Sequence, residues 1–201
     1  EKEWDPETNT VKELAPEYGF YRLYNYNTGI SLSTTLYGMW QVKEKYKEMK
    51  IQAIRHTINP QVNFSYTPNF GNQKYGFYQT IQSDSTGRTT TYSPFQDNAY
   101  GVPPTSESMS MNFSLSQSLE MKVLSKRDTT GVKKVKLIDD LGISGSYNFL
   151  ADSLGLSNLP ISFRTTIYGN FGLNLSFTLD PYEVTPQGVR INKLMIKRGL
   201  L

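Results

Sequence analysis

The sequence has no cysteine, a single histidine and no long apolar run, and each absence excludes a class of protein. Without cysteine, a disulfide framework, a thiolate metal site and a cysteine nucleophile are all impossible. His56 alone cannot supply a histidine-rich metal site. No stretch of about 18 apolar residues is present, which excludes a transmembrane helix but leaves membrane-spanning strands open.

An excess of charge of one sign is also lacking. The chain has 21 basic and 18 acidic residues, which gives a net charge of +3 spread along its length. A nucleic-acid-binding protein would show a basic stripe, and none is visible. Glycine-rich phosphate loops, CxxC pairs and HExxH helices are missing as well. The sequence therefore predicts no enzyme, no cofactor, no metal site and no nucleic-acid partner.

Aromatic residues are abundant although the apolar total is low. Hydrophobic residues make up 37% of the chain and the mean hydropathy is −0.48, yet 13% of residues are aromatic, among them 14 Tyr and 10 Phe. This combination is typical of a membrane barrel wall, in which every second residue faces lipid and aromatic girdles mark both interfaces. A soluble β-sandwich also alternates, so composition leaves both classes open.

The clearest local pattern runs from Ser108 to Val123. Seven of its eight odd positions are apolar and all eight even positions are polar or charged, a period of two that predicts a strand. Sixteen residues would extend about 50 Å, far beyond a typical globular strand, and this length favours a membrane barrel. The predicted lipid-facing residues are Met109, Met111, Phe113, Leu115, Leu119 and Met121.

The same period recurs along the chain and indicates about seven strands. The further segments are Tyr18–Trp40, Ile54–Tyr66, Val135–Phe149, Leu159–Ile167, Leu173–Leu179 and a last strand beginning near Val189 and Ile191. We expect an all-β, antiparallel up-and-down transmembrane β-barrel, with residues 1–201 forming part of one larger barrel domain. A helix over Gln41–Ile54 is the competing local interpretation.

Connections and prolines refine this prediction. Thr67–Glu107 is polar and contains Gly and Pro, as expected for a long external loop of such a barrel. Gly169-Asn170 is a type II′ hairpin signal. Pro60 cannot donate to a ladder, so it predicts an edge, a bulge or weakened pairing.

The first residues lack the features of a signal peptide, and we expect the chain to be internal to a longer one.

Few residues suggest chemistry. His56 is expected to be a neutral, hydrogen-bonded structural residue. Arg55, on the opposite side of the same strand, should face the lumen, where it could bind an anionic group or pair with a carboxylate of a neighbouring strand. Asp139 and Asp140 could suggest a catalytic or cation site, but Lys133, Lys134 and Lys136 nearby favour a solvated, salt-bridged rim.

Several phrases resemble the divergent outer-membrane lipopolysaccharide-assembly proteins, the LptD or OstA-like family. They are Ala53–Pro60 running into Val62–Pro68, Leu119–Val123 with Asp128–Gly131, Ser144–Asn148, Ala151–Leu154, and Leu179–Tyr182 followed by Arg190–Lys193. The resemblance identifies no catalytic residues. It makes Arg55, His56, Pro60, Asp180, Pro181 and Tyr182 recurrent family positions of architectural value.

The resemblance implies integral outer-membrane localisation and lipopolysaccharide assembly at the cell surface. Expected partners are lipopolysaccharide, outer-membrane lipids, a plug lipoprotein similar to LptE and a periplasmic transport bridge. Better-known members carry disulfides, which this chain cannot form. Two other functions stay open at this point: a generic porin or uptake barrel, and a soluble β-rich glycan-binding module that uses the aromatics of Tyr75–Tyr100.

Overall fold

The computed structural model describes residues 1–46, 48–126, 131–167 and 171–195, and this part of the chain is built almost entirely from β-strands. Within it, no helix is long and apolar enough to cross a membrane. Short 3-10 turns lie at Glu44–Tyr46 and Gln73–Tyr75. The strands are β1 Lys2–Asp5, β2 Thr10–Glu13, β3 Thr28–Ser33, β4 Leu36–Gln41, β5 Ile51–Thr67, β6 Gln79–Gln82, β7 Thr89–Tyr92, β8 Ser108–Leu124, β9 Val132–Asn148, β10 Leu159–Ile167, β11 Phe171–Leu179, β12 Tyr182–Val184 and β13 Arg190–Leu194.

The chain divides into two compact units. Unit 1 comprises Glu1–Thr28 and Ser65–Ser108, and unit 2 comprises Gly29–Phe64 and Met109–Leu201. Unit 1 therefore combines the amino-terminal residues with the whole segment predicted to be a long loop. That segment has structure of its own, because β6 and β7 form a hairpin within it. Its external position stays a prediction.

Unit 1 is organised around aromatic side chains. Phe70 is fully buried and Phe77 is 4% exposed. Tyr24 meets Phe77 edge-on at 5.1 Å between ring centroids, and Tyr26 meets Phe70 in the same way at 5.3 Å. The hydroxyl of Ser93, itself buried, donates to the carbonyl of Phe77 at 2.8 Å. Edge-to-face packing and a satisfied buried hydroxyl are what a small water-excluding core requires.

Unit 2 contains a seven-stranded antiparallel sheet. Its order is β11-β10-β9-β8-β5-β3, with β4 also paired to β5. From β8 to β11 each strand pairs with the next one in the chain, so the predicted up-and-down order is confirmed there. β5, β8 and β9 each have 17 residues, about 55 Å at about 3.3 Å per residue. In the described residues the sheet is open, and a closed barrel is not observed.

The sheet has two chemically distinct faces because the strands pair in register. On the apolar face, Leu115 lies opposite Ile143, Ile143 opposite Ile161, and Ile161 opposite Phe177. One residue along, on the polar face, Ser116, Gly142, Ser162 and Ser176 form the corresponding row. Alternation in single strands therefore becomes continuous apolar and polar surfaces across four strands.

The apolar face of the sheet has no buried hydrophobic side chain in the described part of the chain. Within that part of the chain the buried hydrophobic residues are Phe70, Phe77 and Tyr182, none of which belongs to the sheet. Leu175 and Phe177 are 51% and 58% exposed. In a β-sandwich the facing sheet would bury one side almost completely. The predicted lipid-facing set, Met109 to Met121 on alternate positions, lies on this face and is nowhere buried.

The first strand differs from its prediction. Tyr18–Asn27 forms no strand, and the edge begins only at Thr28 as β3 and, after an interruption, β4. The interruption lies beside Pro60: Leu36 pairs with Ile58, and the Thr34 amide donates to the Pro60 carbonyl at 3.2 Å. Pro60 has no N–H to return that bond, so the ladder is incomplete at this point.

Two further expectations are corrected. The alternative helix over Gln41–Ile54 is wrong, because its residues form a short 3-10 turn and then β5 from Ile51 onward. The last strand does not extend the sheet: β13 pairs with β12 in a separate two-stranded hairpin. The sheet still has seven strands because the first predicted strand is two. The Gly169-Asn170 turn lies outside the described residues, as do Asp128–Thr130.

Candidate functional site

The candidate functional site is the polar face of the sheet. A groove of about 640 Å³ is lined mainly by small polar residues of β3, β5, β8 and β9, and a second groove of about 390 Å³ continues onto β10 and β11. The polar-face residues lining them are Ser31, Ser33, Gln61, Asn63, Asn112, Ser114, Ser116, Ser144, Ser146, Ser162, Ser176 and Thr178. Grooves form here because serine, glycine and asparagine leave space that larger side chains would fill.

The grooved part of this face is uncharged and rich in hydrogen-bonding groups. Its hydroxyls and amides can each donate and accept. The Ser114 hydroxyl lies 3.4 Å from the Gln61 amide oxygen, a weak contact that leaves both groups available to other partners. Gly142 matters for the shape, because a Cβ at this position would lie 2.7 Å from the hydroxyl oxygen of Ser162. The arrangement suits a hydrated, hydroxyl-rich ligand such as a sugar chain.

Charged residues of the polar face lie toward one end of the sheet. We call this the turn end, since β4 and β5, β8 and β9, and β10 and β11 are connected there. Arg55 donates to Glu120 of β8 at 2.5 Å. This ion pair matches the carboxylate alternative predicted for Arg55. Its contribution to stability is small, because the Arg55 side chain is 46% exposed.

Asp139 and Asp140 lie where β9 is irregular. The β8–β9 register shifts on both sides of Leu119, and this bulge places the two carboxylates in different networks. Asp139 accepts from the Thr166 hydroxyl at 2.7 Å and lies 3.7 Å from the Lys136 ammonium. Asp140 accepts from Ser116 at 2.6 Å. Both are accounted for by hydrogen bonds, and no group of carboxylates or histidine in the described residues could hold a metal ion.

His56 lies on the apolar face rather than in the groove. It is opposite Gly38 of β4, and its Nε2 atom is 3.1 Å from the side-chain oxygen of Gln117 on β8. The pair is half-buried. An N–H at Nε2 can donate to the amide oxygen, which gives each group a partner on a surface with no other polar side chain in that row. This contact agrees with a structural role for His56.

The family-like triplet Asp180-Pro181-Tyr182 anchors the β12–β13 hairpin. Tyr182 is 3% exposed, and its hydroxyl accepts from the Leu156 amide at 2.7 Å. Asp180 accepts from the Tyr182 amide at 3.1 Å and from Arg190 at 2.6 Å. The triplet thus ties the 149–158 connection to the hairpin. These contacts are architectural in kind.

Two partners were missed by the sequence analysis although both left a signal. Gln117 is the single non-apolar residue among the odd positions of Ser108–Val123, and Glu120 is the first charge on the even positions. Each interruption of the pattern marks a cross-strand contact. The partner strand could not be deduced, because both contacts depend on the pairing of β5 with β8, which the period of a single strand does not reveal.

Comparison with known proteins identifies the family. The model of a family described as LptD protein matches residues 1–182. The chain belongs to the LptD protein family. Neither a search of curated proteins nor a search of solved structures found a match. The matched range covers most of both units. It contains the resembling phrases from Ala53 to Tyr182 and also the amino-terminal residues, whereas Arg190–Lys193 lies beyond it.

Membership of the LptD family carries a coarse functional statement. Proteins of this family are outer-membrane transport and assembly components that handle lipopolysaccharide, and they are not enzymes. The antiparallel all-β structure of this LptD-family chain is compatible with that role.

Proposed function

We propose that this chain forms part of the wall of an outer-membrane β-barrel that moves lipopolysaccharide to the cell surface. The observation that carries the proposal is one sheet with two opposed surfaces: a grooved face of hydroxyls and amides, and an uncovered apolar face. A barrel wall needs this combination, since its outer side meets hydrocarbon and its inner side meets water.

The polar face would line the path of the sugar portion. Ser114, Ser144 and Asn112 present neutral donors and acceptors to the groove, which can exchange hydrogen bonds with sugar hydroxyls as readily as with water. Neutral groups bind such a ligand weakly at each point. Weak contacts repeated along a wall are suited to transport, because a tightly held cargo would not move on.

The apolar face would contact lipid. Met109, Met111, Phe113, Leu115, Leu119 and Met121 all belong to it, and the neighbouring strands contribute Ile143, Ile161 and Phe177 in register. Each strand of the sheet from β8 to β11 has at least nine residues, enough to cross a hydrocarbon layer about 30 Å thick when tilted. Integral outer-membrane localisation of this segment follows from the same proposal.

Acyl chains would leave sideways between strands that pair weakly. The incomplete ladder at Thr34 and Pro60 is one position of this kind.

A plug lipoprotein similar to LptE and a periplasmic bridge belong to the proposal as implied by the family. Under the predicted orientation, the turn end faces the periplasm and the 67–107 segment the outside.

Depletion of the full-length protein in its host tests the proposal. Surface labelling of lipopolysaccharide should fall as the protein is depleted, and re-expression of the wild type should restore it. Unchanged surface display after depletion would reject lipopolysaccharide export. Steady ion conductance of the reconstituted protein without a lipoprotein partner would instead favour a passive porin.

Groove-filling variants connect the test to this sheet. Ser114→Trp with Ser144→Trp places two indoles in the 640 Å³ groove, so the re-expressed variant should restore little display. Ser106→Trp, at an exposed position of unit 1, is the matched control and should restore display fully. Equal restoration by both variants would show that the groove is not on the transport path.

A further inference from the structure

A small cavity at the turn end of the polar face differs from the neutral grooves. It measures about 140 Å³ and is lined by Arg55, Glu120, Lys122, Lys134, Gln41 and Ala53, together with the apolar residues Met39, Ile54 and Met121. The first six belong to the polar face by their positions along β4, β5, β8 and β9. The two grooves farther along the face are lined by uncharged residues, so the cavity differs from them in charge.

The two lysines are direct cross-strand neighbours. Lys122 of β8 and Lys134 of β9 are paired at the Cα level, and like charges placed directly opposite destabilise a sheet. In the described residues neither has an ion-pair partner. The pairing of two lysines therefore does not stabilise the folded sheet, and a bound anion would remove the repulsion between them.

The nearby carboxylates do not neutralise the lysines. Glu120 is held by Arg55 at 2.5 Å, and Asp139 lies beside Lys136. Because Arg55 and Glu120 form an ion pair, the described residues that line the cavity leave Lys122 and Lys134 as two positive charges without an opposite charge. The cavity is too small for a long sugar chain but has room for a compact anionic group.

We propose that Lys122 and Lys134 form a binding site for the phosphate groups of a phosphorylated glycolipid at the turn end of the polar face. The inference rests on the proposed function and names the chemical group of the transported glycolipid that the protein would recognise, which is its phosphate. Lysine ammonium groups on flexible stems bind phosphate as point charges. With the turn end at the periplasm, the anionic part of the cargo would meet this site before its neutral sugars reach the grooves.

The test is equilibrium binding to the purified full-length protein in detergent. Two probes are used, lipopolysaccharide and the same lipopolysaccharide after chemical removal of its phosphates. Lys122→Gln with Lys134→Gln should raise the Kd for the phosphorylated probe about tenfold, which corresponds to two moderately exposed charge contacts. The Kd for the dephosphorylated probe should not change, and added salt should weaken wild-type binding more than variant binding.

Lys126→Gln with Lys133→Gln is the matched control. Lys133 is next to Lys134 but lies on the opposite face, opposite Val123, and Lys126 follows the end of β8. This variant loses the same charge and should bind both probes as the wild type does. Gel mobility with and without heating reports whether each variant folds.

The possible results distinguish a failure of the proposed lysine site from a failure of the proposed export function. Wild-type affinity of the Lys122→Gln/Lys134→Gln variant for the phosphorylated probe would overturn the site while leaving export intact. An equal loss for both probes would also overturn it, because the lysines would then act on structure. Failure of the wild type to bind either probe would reject the proposed function together with the site.

Discussion

Unit 1 and the sheet of unit 2 use apolar residues in opposite ways. Unit 1 buries Phe70 completely and Phe77 almost completely among tyrosine rings. The sheet has a longer and more regular set of apolar side chains, yet none of them is buried and Phe177 is 58% exposed. A folded chain in water hides its largest apolar surface first. The difference therefore indicates that unit 1 supplies its own core, while the apolar face of the sheet has no buried side chain among the described residues.

The largest expected effect comes from removing the core of unit 1. Phe70→Ala deletes a fully buried ring and should lower the free energy of unfolding of unit 1 by about 3–5 kcal/mol. Limited proteolysis, followed by mapping of cuts within 65–108, measures the loss. Phe20→Ala, at a ring that is 99% exposed, is the control. Equal protease resistance of Phe70→Ala and wild type would show that unit 1 is not held by this core.

The second prediction probes the environment of the sheet. Ile143→Arg places a charge in the middle of the apolar row, and an arginine facing the bilayer midplane costs about 2–4 kcal/mol. Ser144→Arg, one residue along on the polar face, should cost far less. Urea-dependent folding of the full-length protein into lipid vesicles measures both. A larger effect of Ser144→Arg would reverse the assignment of the lipid and water faces.

The difference between unit 1 and the sheet also explains which parts of the fold could be predicted from the sequence. The period of two within Ser108–Val123 predicted β8 to within one residue at its end, because a strand with one apolar and one polar face alternates strictly in sequence. The prediction failed at Tyr18–Asn27, where Tyr24 and Tyr26 are alternate aromatics as in a strand. Their partners, Phe77 and Phe70, are some fifty residues away, and such packing leaves no local period.

The candidate site was predictable in kind but not in its pairings. Arg55 was expected to face the lumen and either to bind an anionic group or to pair with a carboxylate of a neighbouring strand; it lies on the polar face and pairs with Glu120. That the partner is Glu120 depends on how β5 pairs with β8. The opposition of Lys122 and Lys134 depends on the β8–β9 register, which shifts around Leu119. Side-chain period gives the face of a residue, whereas its neighbour comes only from the paired strand.

The third prediction concerns Tyr182, the buried aromatic side chain in the described part of unit 2. Tyr182→Phe removes the hydroxyl that accepts from the Leu156 amide at 2.7 Å. Loss of the bond should destabilise the packing of the β12–β13 hairpin by about 1–2 kcal/mol, seen as faster hydrogen exchange in the 149–158 connection. Tyr37→Phe, at a 65% exposed ring of β4, should leave exchange unchanged. Equal exchange in both variants would remove the proposed anchoring role of Tyr182.

The smallest expected effect is a pH dependence confined to unit 1. The Lys12 ammonium, the Glu7 amide and the Thr8 hydroxyl all bond to the Asp5 carboxylate and hold its pKa well below the ordinary 3.8. A depressed folded-state pKa stabilises the fold above the unfolded-state value, and this stability is lost as pH falls below about 4 toward the folded pKa. The β1–β2 hairpin should therefore fray on acidification between those limits.

Amide hydrogen exchange across Lys2–Glu13 measures this fraying. Exchange should become faster on acidification in the wild type, and the increase should be smaller in Asp5→Asn. Glu7→Gln leaves the backbone amide in place and should follow the wild type. If Asp5→Asn frays with the same pH dependence as the wild type, another group controls the hairpin, and the ion pair with Lys12 adds nothing to the stability of unit 1.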